Sequence, residues 1–417
     1  MISELSRRLG VNRIVLALSA ARLADALGNS ILFIIIPLYV AKLPAPWFPF
    51  PESVRVGLLI SLYGFFIAVL QPVMGALADR YGRFKLFIQL GLVTMGIATL
   101  AFVFASRFVD LLLLRALQGV GVSLTVPASL ALMAIATEKE TRGGSMGVFS
   151  SMRMVGFAIG PLLGGYLHVH YGFDTAFLLG AAAIFLGMLL VHFLVREPET
   201  AVSSSTAPAK FQIIDRKLWT VGMIGLGLAT FIMAADFSMM TTLENEFNQR
   251  LTQTAVGFGL AFSALMVSRL IFQIPLGRWS DRIGRKPLII GGMLLLAPST
   301  LMLGLAGTTL QLTGYRLLQG LASAAVAAPA FALAADISHQ GGEGRQLSVI
   351  TMGFGLGIAV GPLVAGLLAV IFFELPFLVG GLFSLLGAWI VYQYVPESVQ
   401  RGRKKRPSPE PSQHTAD

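Results

Sequence analysis

The sequence predicts an all-α membrane protein, with twelve transmembrane helices in two pseudo-symmetric six-helix bundles. Three observations carry the prediction. Apolar residues fill 55% of the 417 positions and charged residues 12%, with a mean hydropathy of +0.76; a soluble domain needs no such balance. The apolar residues form long runs with little two-residue alternation. Lipid offers the backbone no water, so such runs must be helices rather than barrel strands. Finally, a charged turn, Gly75-Ala-Leu-Ala-Asp79-Arg80-Tyr-Gly82-Arg83-Phe-Lys85, returns as Gly277-Arg-Trp-Ser-Asp281-Arg282-Ile-Gly284-Arg285-Lys286, 202 positions on. A charged turn that recurs half a chain later between apolar runs marks a duplicated bundle.

At roughly 20 or more apolar residues per span, the chain holds about a dozen helices. The first run, 14–41, is too long for a cleavable signal and lacks a small-residue cleavage site, so it reads as a span. The next five are 54–78, 85–105, 109–136, 144–170 and 174–195. The second half gives 217–244, 253–278, 287–306, 309–336, 346–371 and 375–395. Residues 1–196 thus form the N-terminal bundle and 217–396 the C-terminal bundle. Between them, 197–216 contains Ser203-Ser-Ser-Thr-Ala-Pro208 and reads as a flexible linker. After them, 397–417 reads as a disordered basic tail, with Arg401, Arg403, Lys404, Lys405 and Arg406.

Charge sets the orientation. Of the 31 Lys and Arg, 22 lie at the N-terminus, in the even-numbered loops and in the tail; only Lys42, Arg55, Arg107 and Arg250 lie on the opposite side. The basic side is expected to be cytoplasmic, with both termini inside and the protein in the cell inner (plasma) membrane. The net charge of +10 is explained by these loops, and no nucleic-acid-binding motif accompanies it. Cysteine is absent, which removes disulfides and thiolate metal sites. His168 and His170 have no third ligand, so no metal is expected. No P-loop is present, so ATP is not expected to drive the protein directly, and no cofactor or enzymatic constellation is found.

The repeat extends beyond the turn. Arg115-Ala-Leu-Gln118-Gly119 returns as Arg316-Leu-Leu-Gln319-Gly320, and Gly160-Pro161 as Gly361-Pro362, each 201 positions on. Parallel repeats of this kind place the substrate at their interface near the midplane. The turn matches GxxxDRxGRR/K, the loop between the second and third helices of the major facilitator superfamily, and the chain from about 14 to 396 resembles that superfamily. Gly156-Phe-Ala-Ile-Gly160-Pro161-Leu-Leu-Gly164-Gly165 matches its GxxxGPxxGG motif, which resembles the drug/proton antiporter group. The copy in span eleven departs once, with Ala365 in the place of a glycine. The resemblance implies export of a small-molecule substrate against protons.

The motifs also have physical readings. In the turns, Gly75, Asp79, Arg80, Gly82 and Arg83, with Gly277, Asp281, Arg282, Gly284 and Arg285, can pair with neighbouring helix ends and break those pairs in another packing. That reads as a conformational latch for the outward-facing state. A plain positive-inside anchor explains the cations but not Asp79, Gly75 or the repetition. Gly156, Gly160, Gly164 and Gly165 are spaced to let another helix approach, and Pro161 and Pro362 bend their spans.

A charge inside a span is costly and by default functional. Asp25 sits about twelve residues into span one, ~18 Å along it, with Arg22 and Asn29 on its face. Burial disfavours an ionised carboxylate and a nearby guanidinium favours it; a carboxyl between the two influences can load and lose a proton. Asp25 is therefore the expected proton carrier, and Arg115 corresponds to the position that resembles the superfamily's proton-coupling arginine. A permanent ion pair of Asp25 with Arg22 or Arg115 is the competing reading. Asp236, in span seven but out of register with Asp25, could carry a proton, contact substrate, or lie solvated near the outer surface. Glu244 reads as the outer end of that span. Arg22, Asn29, Arg153, Met233, Arg269 and Arg316 are expected to line the cavity. Methionine suits a re-packing pocket and equally serves as lipid-facing filler. The in-span arginines exceed the in-span acids, which favours anionic or neutral amphipathic substrates.

The reading is a monomeric, proton-coupled exporter of a small amphipathic organic compound that alternates by rocking its halves. Uptake of an organic anion or sugar by symport is the alternative, and a non-transporting sensor a distant one.

Overall fold

The structure is a computed structural model that describes residues 12–137, 141–196, 220–336 and 343–397. The linker 197–216, and all of the tail 397–417 except Glu397, lie outside the described residues. The N-terminal half holds α1 (Arg13–Val40), α2 (Glu52–Tyr81), α3 (Phe84–Ala101) and α4 (Phe108–Ala136). A continuous helical stretch, Arg142–Leu194, completes it; Gly172, at φ 85°, breaks that stretch into α5 (142–171) and α6 (173–194). The C-terminal half holds α7 (Val221–Met239), α8 (Ala255–Ile283), α9 (Arg285–Gly304), α10 (Thr309–Asp336), α11 (Glu343–Ala369) and α12 (Leu375–Tyr394). Among the described residues eleven helical stretches are long and apolar enough to cross a membrane, with α5 and α6 together forming one of them and α7 counted through Arg250.

Local chemistry sets several helix ends. Asn12 accepts from the N–H of Val15 and caps α1, and Thr220 accepts from Met223 and caps α7. Asp110 accepts from the N–H groups of Ser106 and Arg107 and closes the start of α4. The repeated turn has a backbone reason for its glycine: Gly82 sits at φ 63° and Gly284 at φ 107°, where a side chain is strained. Each donates its N–H back to the ending helix, to Ala78 and Ser280.

One boundary differs from the expectation. The seventh span does not stop near 244. A short 3₁₀ turn, Met240–Leu243, carries it into a further helix, Glu244–Arg250. Glu244 is fully buried there rather than marking a wet helix end. Phe247, one turn on, packs among Phe258, Phe373 and Phe377 and draws the segment into the core.

Within each half the glycine motif seats one helix on another. Gly156, Gly160 and Gly164 of α5 lie against Ala26, Ser30 and Ile31 of α1, and Ser30 donates to the Gly156 carbonyl at 3.0 Å. In the second half Gly353, Gly357 and Gly361 of α11 lie against Gly227, Phe231 and Ala235 of α7, and Thr230 donates to the Ile350 carbonyl at 3.2 Å. With no hydrophobic drive between helices in lipid, close backbone contact and such hydrogen bonds hold them together.

The halves meet through a different set. A Cβ on Gly57 of α2 would stand 2.5 Å from the Pro362 carbonyl oxygen of α11. A Cβ on Gly259 of α8 would stand 2.5 Å from the Pro161 carbonyl oxygen of α5. The two contacts are copies of one another through the repeat. Gly165 meets Ala255, and Gly366 meets Ser53, one turn further out. Hydrogen bonds join the halves there: Ser53 to the Gly366 carbonyl, the Leu363 N–H to Ser61, and Asn245 to the Pro37 carbonyl and Glu52.

This seam occupies one side only, the face that carries the loops 41–51 and 251–254. Toward the opposite face, which carries Asn12 and Glu397 and is called the terminal face below, α2 and α8 part from the other half, α2 beyond the contact of Ala68 with Gly355 of α11. Residues 53, 54, 56, 57, 59–61, 63 and 64 of α2 are buried, but none of 65–77 is; on α8 none of 270–279 is. The molecule is sealed at the loop face and splayed at the terminal face.

Candidate substrate and proton-coupling site

At the bottom of the seam four rings cross between the halves. Phe33 of α1 stacks on Phe262 of α8 at 6.0 Å between centroids; Phe157 of α5 tilts against Phe33 at 5.6 Å, and Phe237 of α7 against Phe262 at 5.4 Å. A fully buried arginine backs each side. Arg115 lies over Phe33 (5.8 Å) and Tyr63 (5.3 Å), and Arg316 over Phe262 (5.3 Å) and Phe237 (5.8 Å). Guanidinium on a ring face is favourable, more so once desolvated.

The hydrogen bonds of the two arginines also repeat. Arg115 Nη1 donates to Gln118 Oε1 at 3.1 Å, and Gln118 Nε2 donates to Thr99 at 2.8 Å. Arg316 Nη1 donates to Gln319 Oε1 at 2.5 Å, and Gln319 Nε2 donates to Thr300 at 3.1 Å. In both, Nε and Nη2 have no hydrogen-bond partner, so the rings are their main company. Arg316 is inside the C-terminal half and reaches the seam through Phe262.

Asp25 is 3% exposed and takes a 2.6 Å ion pair from Arg22, one turn earlier on α1. It does not pair with Arg115. Its Oδ1 has no partner, and it borders a cavity of about 10 Å³ with Ile88, Leu92, Thr125, Ser129, Phe149 and Val191, room for about one water. Asn29, one turn on, donates to the Tyr63 hydroxyl at 2.6 Å. Tyr63 lies within electrostatic reach of Asp25, Arg115 and Arg153. The link from Asp25 to Arg115 therefore runs through Tyr63 rather than by contact, an intermediary sequence reasoning did not single out.

Asp236 is not solvated at an outer surface. It is 1% exposed inside the C-terminal half, where Oδ2 accepts from Ser384 at 2.7 Å and Thr300 at 3.3 Å. Met233 does not line the crevice as expected. It is 1% exposed and packs in the core of the C-terminal half: α7 turns that face toward α9 and α12, and an apolar thioether gains more from this packing than from a crevice.

Arg153 and Arg269 do face each other across the crevice. Arg153 of α5 lies over Phe157 at 5.4 Å and Phe354 at 5.8 Å; Arg269 of α8 lies over the same Phe354 at 5.9 Å. Phe354, on α11, is the second residue sequence reasoning missed.

At the terminal face the two latch copies differ. Asp79, Arg80 and Arg83 are exposed, and their side chains form no hydrogen bond or ion pair among the described residues. In the second copy Arg285 bridges Asp281 (3.4 Å) and Asp336 at the end of α10 (2.6 Å). Glu397 accepts from the N–H groups of Arg285 and Lys286.

Two pseudo-symmetric helical bundles about a crevice sealed at one face and splayed at the other are the architecture of a membrane transporter. The sequence profile of the Major Facilitator Superfamily matches residues 18–257 and 226–416, and the chain belongs to that superfamily. It is 28% identical over 317 residues to the multi-drug resistance efflux pump PmrA of Streptococcus pneumoniae, covering 75% of this chain and 79% of that one. It is 27% identical over 333 residues to the multidrug resistance protein MdtG of Klebsiella pneumoniae, covering 79% and 80%. Among solved structures, an inward-facing, occupied bacterial homologue of the human lysosomal transporter Spinster superposes with a TM-score of 0.75 at 14% identity, covering 91% and 95%. The human organic anion transporter MFSD10 (TETRAN) superposes at 0.67 and 20% identity, covering 91% and 99%. The chain is a transporter of that superfamily and not an enzyme, and it is similar to multidrug efflux pumps.

Proposed function

We propose that this protein exports a small amphipathic organic compound from the cell in exchange for protons, working as a monomer in the inner membrane with both termini cytoplasmic. The basic terminal face supports that orientation, and the efflux pumps it resembles support the direction. In that frame the structure is the inward-facing state, ready to take cargo from the cytoplasm.

One observation carries the coupling. Asp25 is buried beside the crevice with a spare carboxylate oxygen and a single movable partner, Arg22. When Asp25 is ionised, it holds Arg22 and balances Arg153. When it takes a proton, Arg22 is released to the crevice and the helix contacts around it change. The charge is costly to bury in either state unless it is compensated, so proton and conformation are linked. The exposed Asp79, Arg80 and Arg83 are the released latch, which closes in the opposite state.

The test is transport into or out of proteoliposomes under an imposed pH gradient, with the wild-type chain and Asp25→Asn. Asn keeps the side-chain shape and removes the titration. We expect gradient-driven transport to fall to background while energy-independent exchange of cargo survives. Gradient-driven transport that persists in the variant overturns the assignment.

A further inference from the structure

Phe354 is held between two guanidinium groups that belong to opposite halves. Arg153, on the N-terminal side, is half-buried and open to the crevice; Arg269, on the C-terminal side, is 9% exposed. Neither forms an ion pair with a carboxylate among the described residues, and Nε of Arg269 has no hydrogen-bond partner at all. The two cations are close enough to repel one another, and Arg22 adds to the repulsion from the N-terminal side. The nearest acid, Asp25, is already committed to Arg22. Three arginines and one carboxylate thus share one end of the crevice. The Phe354 ring lies 5.8 and 5.9 Å from the two cations that have no carboxylate partner among the described residues, and a ring face attracts a cation far less than an anion does.

Such an arrangement is unfinished. The buried Nε of Arg269 has no acceptor, which costs free energy, and a planar anionic group would supply acceptors to both guanidinium groups. We infer that the crevice takes an organic acid, with a carboxylate or sulfonate bridging Arg153 and Arg269 and an aromatic or branched apolar body displacing the Phe354 ring. The apolar body has a ready wall in Phe157 and Phe354. Because one arginine comes from each half, the acidic group ties the halves across the crevice, and its departure frees them to splay. Arg115 and Arg316 take no part: each is fully buried behind its own rings. The inference rests on the crevice proposed above as the place where ligand binds, and its binding test does not depend on transport or its direction.

The experiment measures equilibrium binding of three ligands with one aromatic body to the purified full chain: naphthalene-2-sulfonate, neutral 2-naphthalenemethanol and cationic 2-naphthyltrimethylammonium. The sulfonate is expected to bind at least about tenfold more tightly than either of the others. Arg153→Gln and Arg269→Gln should each weaken it by about ten- to hundredfold, the loss of a charged hydrogen bond, and leave the neutral ligand within about twofold. Arg153→Lys should recover part of the affinity. Arg250→Gln, which removes a cation at the loop face, should change nothing. Equal binding of the three ligands by the wild-type chain, a comparison that needs no variant, overturns the inference, and so does a sulfonate preference that survives both glutamine variants. Counterflow of bound ligand in proteoliposomes keeps the two proposals apart. Sulfonate binding without counterflow refutes transport and leaves the acid site standing. Counterflow of the cation alone does the reverse.

Discussion

Gly57→Ala and Gly259→Ala should unseat the sealed face without touching either proposed binding group. Each added Cβ would stand 2.5 Å from a carbonyl oxygen of the opposite half, Pro362 or Pro161. Ordinary contact begins about 0.9 Å further out. The obstacle is helix backbone and cannot rotate away, so the halves must part. Overpacking of this kind costs roughly 1–3 kcal/mol. The splayed arrangement at this face is spared that cost, so the equilibrium should shift toward it by about 5- to 150-fold per substitution. The two sites lie on different helix pairs, so the double variant should show close to the summed effect. The chain has no cysteine, so spin labels can be placed without background. A pair at exposed Ala41 and Thr254 reports the loop face, and a pair at exposed Tyr81 and Trp279 the terminal face. In the variants the first distance should lengthen and the second shorten. Gly291→Ala, with no atom within 4 Å of the new Cβ, should leave both unchanged. Distance distributions in folded Gly57→Ala and Gly259→Ala that match wild type would show that this seam does not set the equilibrium.

Two further outcomes follow from the same geometry. Asp79→Asn should slow turnover while leaving cargo affinity within about twofold, because Asp79 is unpaired in the splayed state and would act only when the terminal face closes; a pure affinity loss with normal turnover refutes the latch. Asp236→Asn should lower thermal stability, at about 1 kcal/mol for each weakened hydrogen bond from Ser384 and Thr300, and should leave gradient-driven transport intact. If that transport disappears while Asp25 is unchanged, the proton site belongs to Asp236.

The duplication was legible because its landmarks are rare residues in a common background. Asp79 and Asp281 stand in short charged turns between long apolar runs, and the register they set leads directly to Arg115 and Arg316. The same register would also have found more. Gly57 and Gly259, the two seam glycines, are 202 positions apart, and Thr99 and Thr300, which hold the two glutamines, are 201 apart. What the sequence hides is facing. A membrane helix is apolar toward lipid and toward protein alike, so periodicity does not say which side looks into the crevice. For that reason periodicity does not reveal that Met233 faces the core of its own half, nor does it single out Phe354 and Tyr63 among the other aromatic residues. Glu244 is a different case. Its burial depends on Phe247 and on a 3₁₀ turn that continues the helix past the acid, neither of which has a residue pattern of its own.

The charge of the cargo decides what Asp25 can couple. The groups that surround its carboxylate are Arg22 on α1, Arg153 on α5 and Tyr63 on α2, while α3, α4 and α6 present Ile88, Leu92, Thr125, Ser129 and Val191. A cation entering this site would compete with the proton for Asp25, and competition produces exchange. An organic acid held by Arg153 and Arg269 would instead be repelled by the ionised carboxylate and bind better once it is protonated. By linkage, cargo and proton would then promote each other and travel together. Export against protons and an acidic cargo thus make opposite forecasts for one measurement, the affinity of the preferred ligand as the pH is lowered. If naphthalene-2-sulfonate binds about tenfold more tightly in acid, and Asp25→Asn shows the tight affinity at every pH, uptake with a proton replaces export. If acid weakens binding of the preferred ligand, and Asp25→Asn removes that dependence, proton exchange stands. A pH-independent affinity in the wild-type chain would remove Asp25 from the coupling altogether, whatever the cargo.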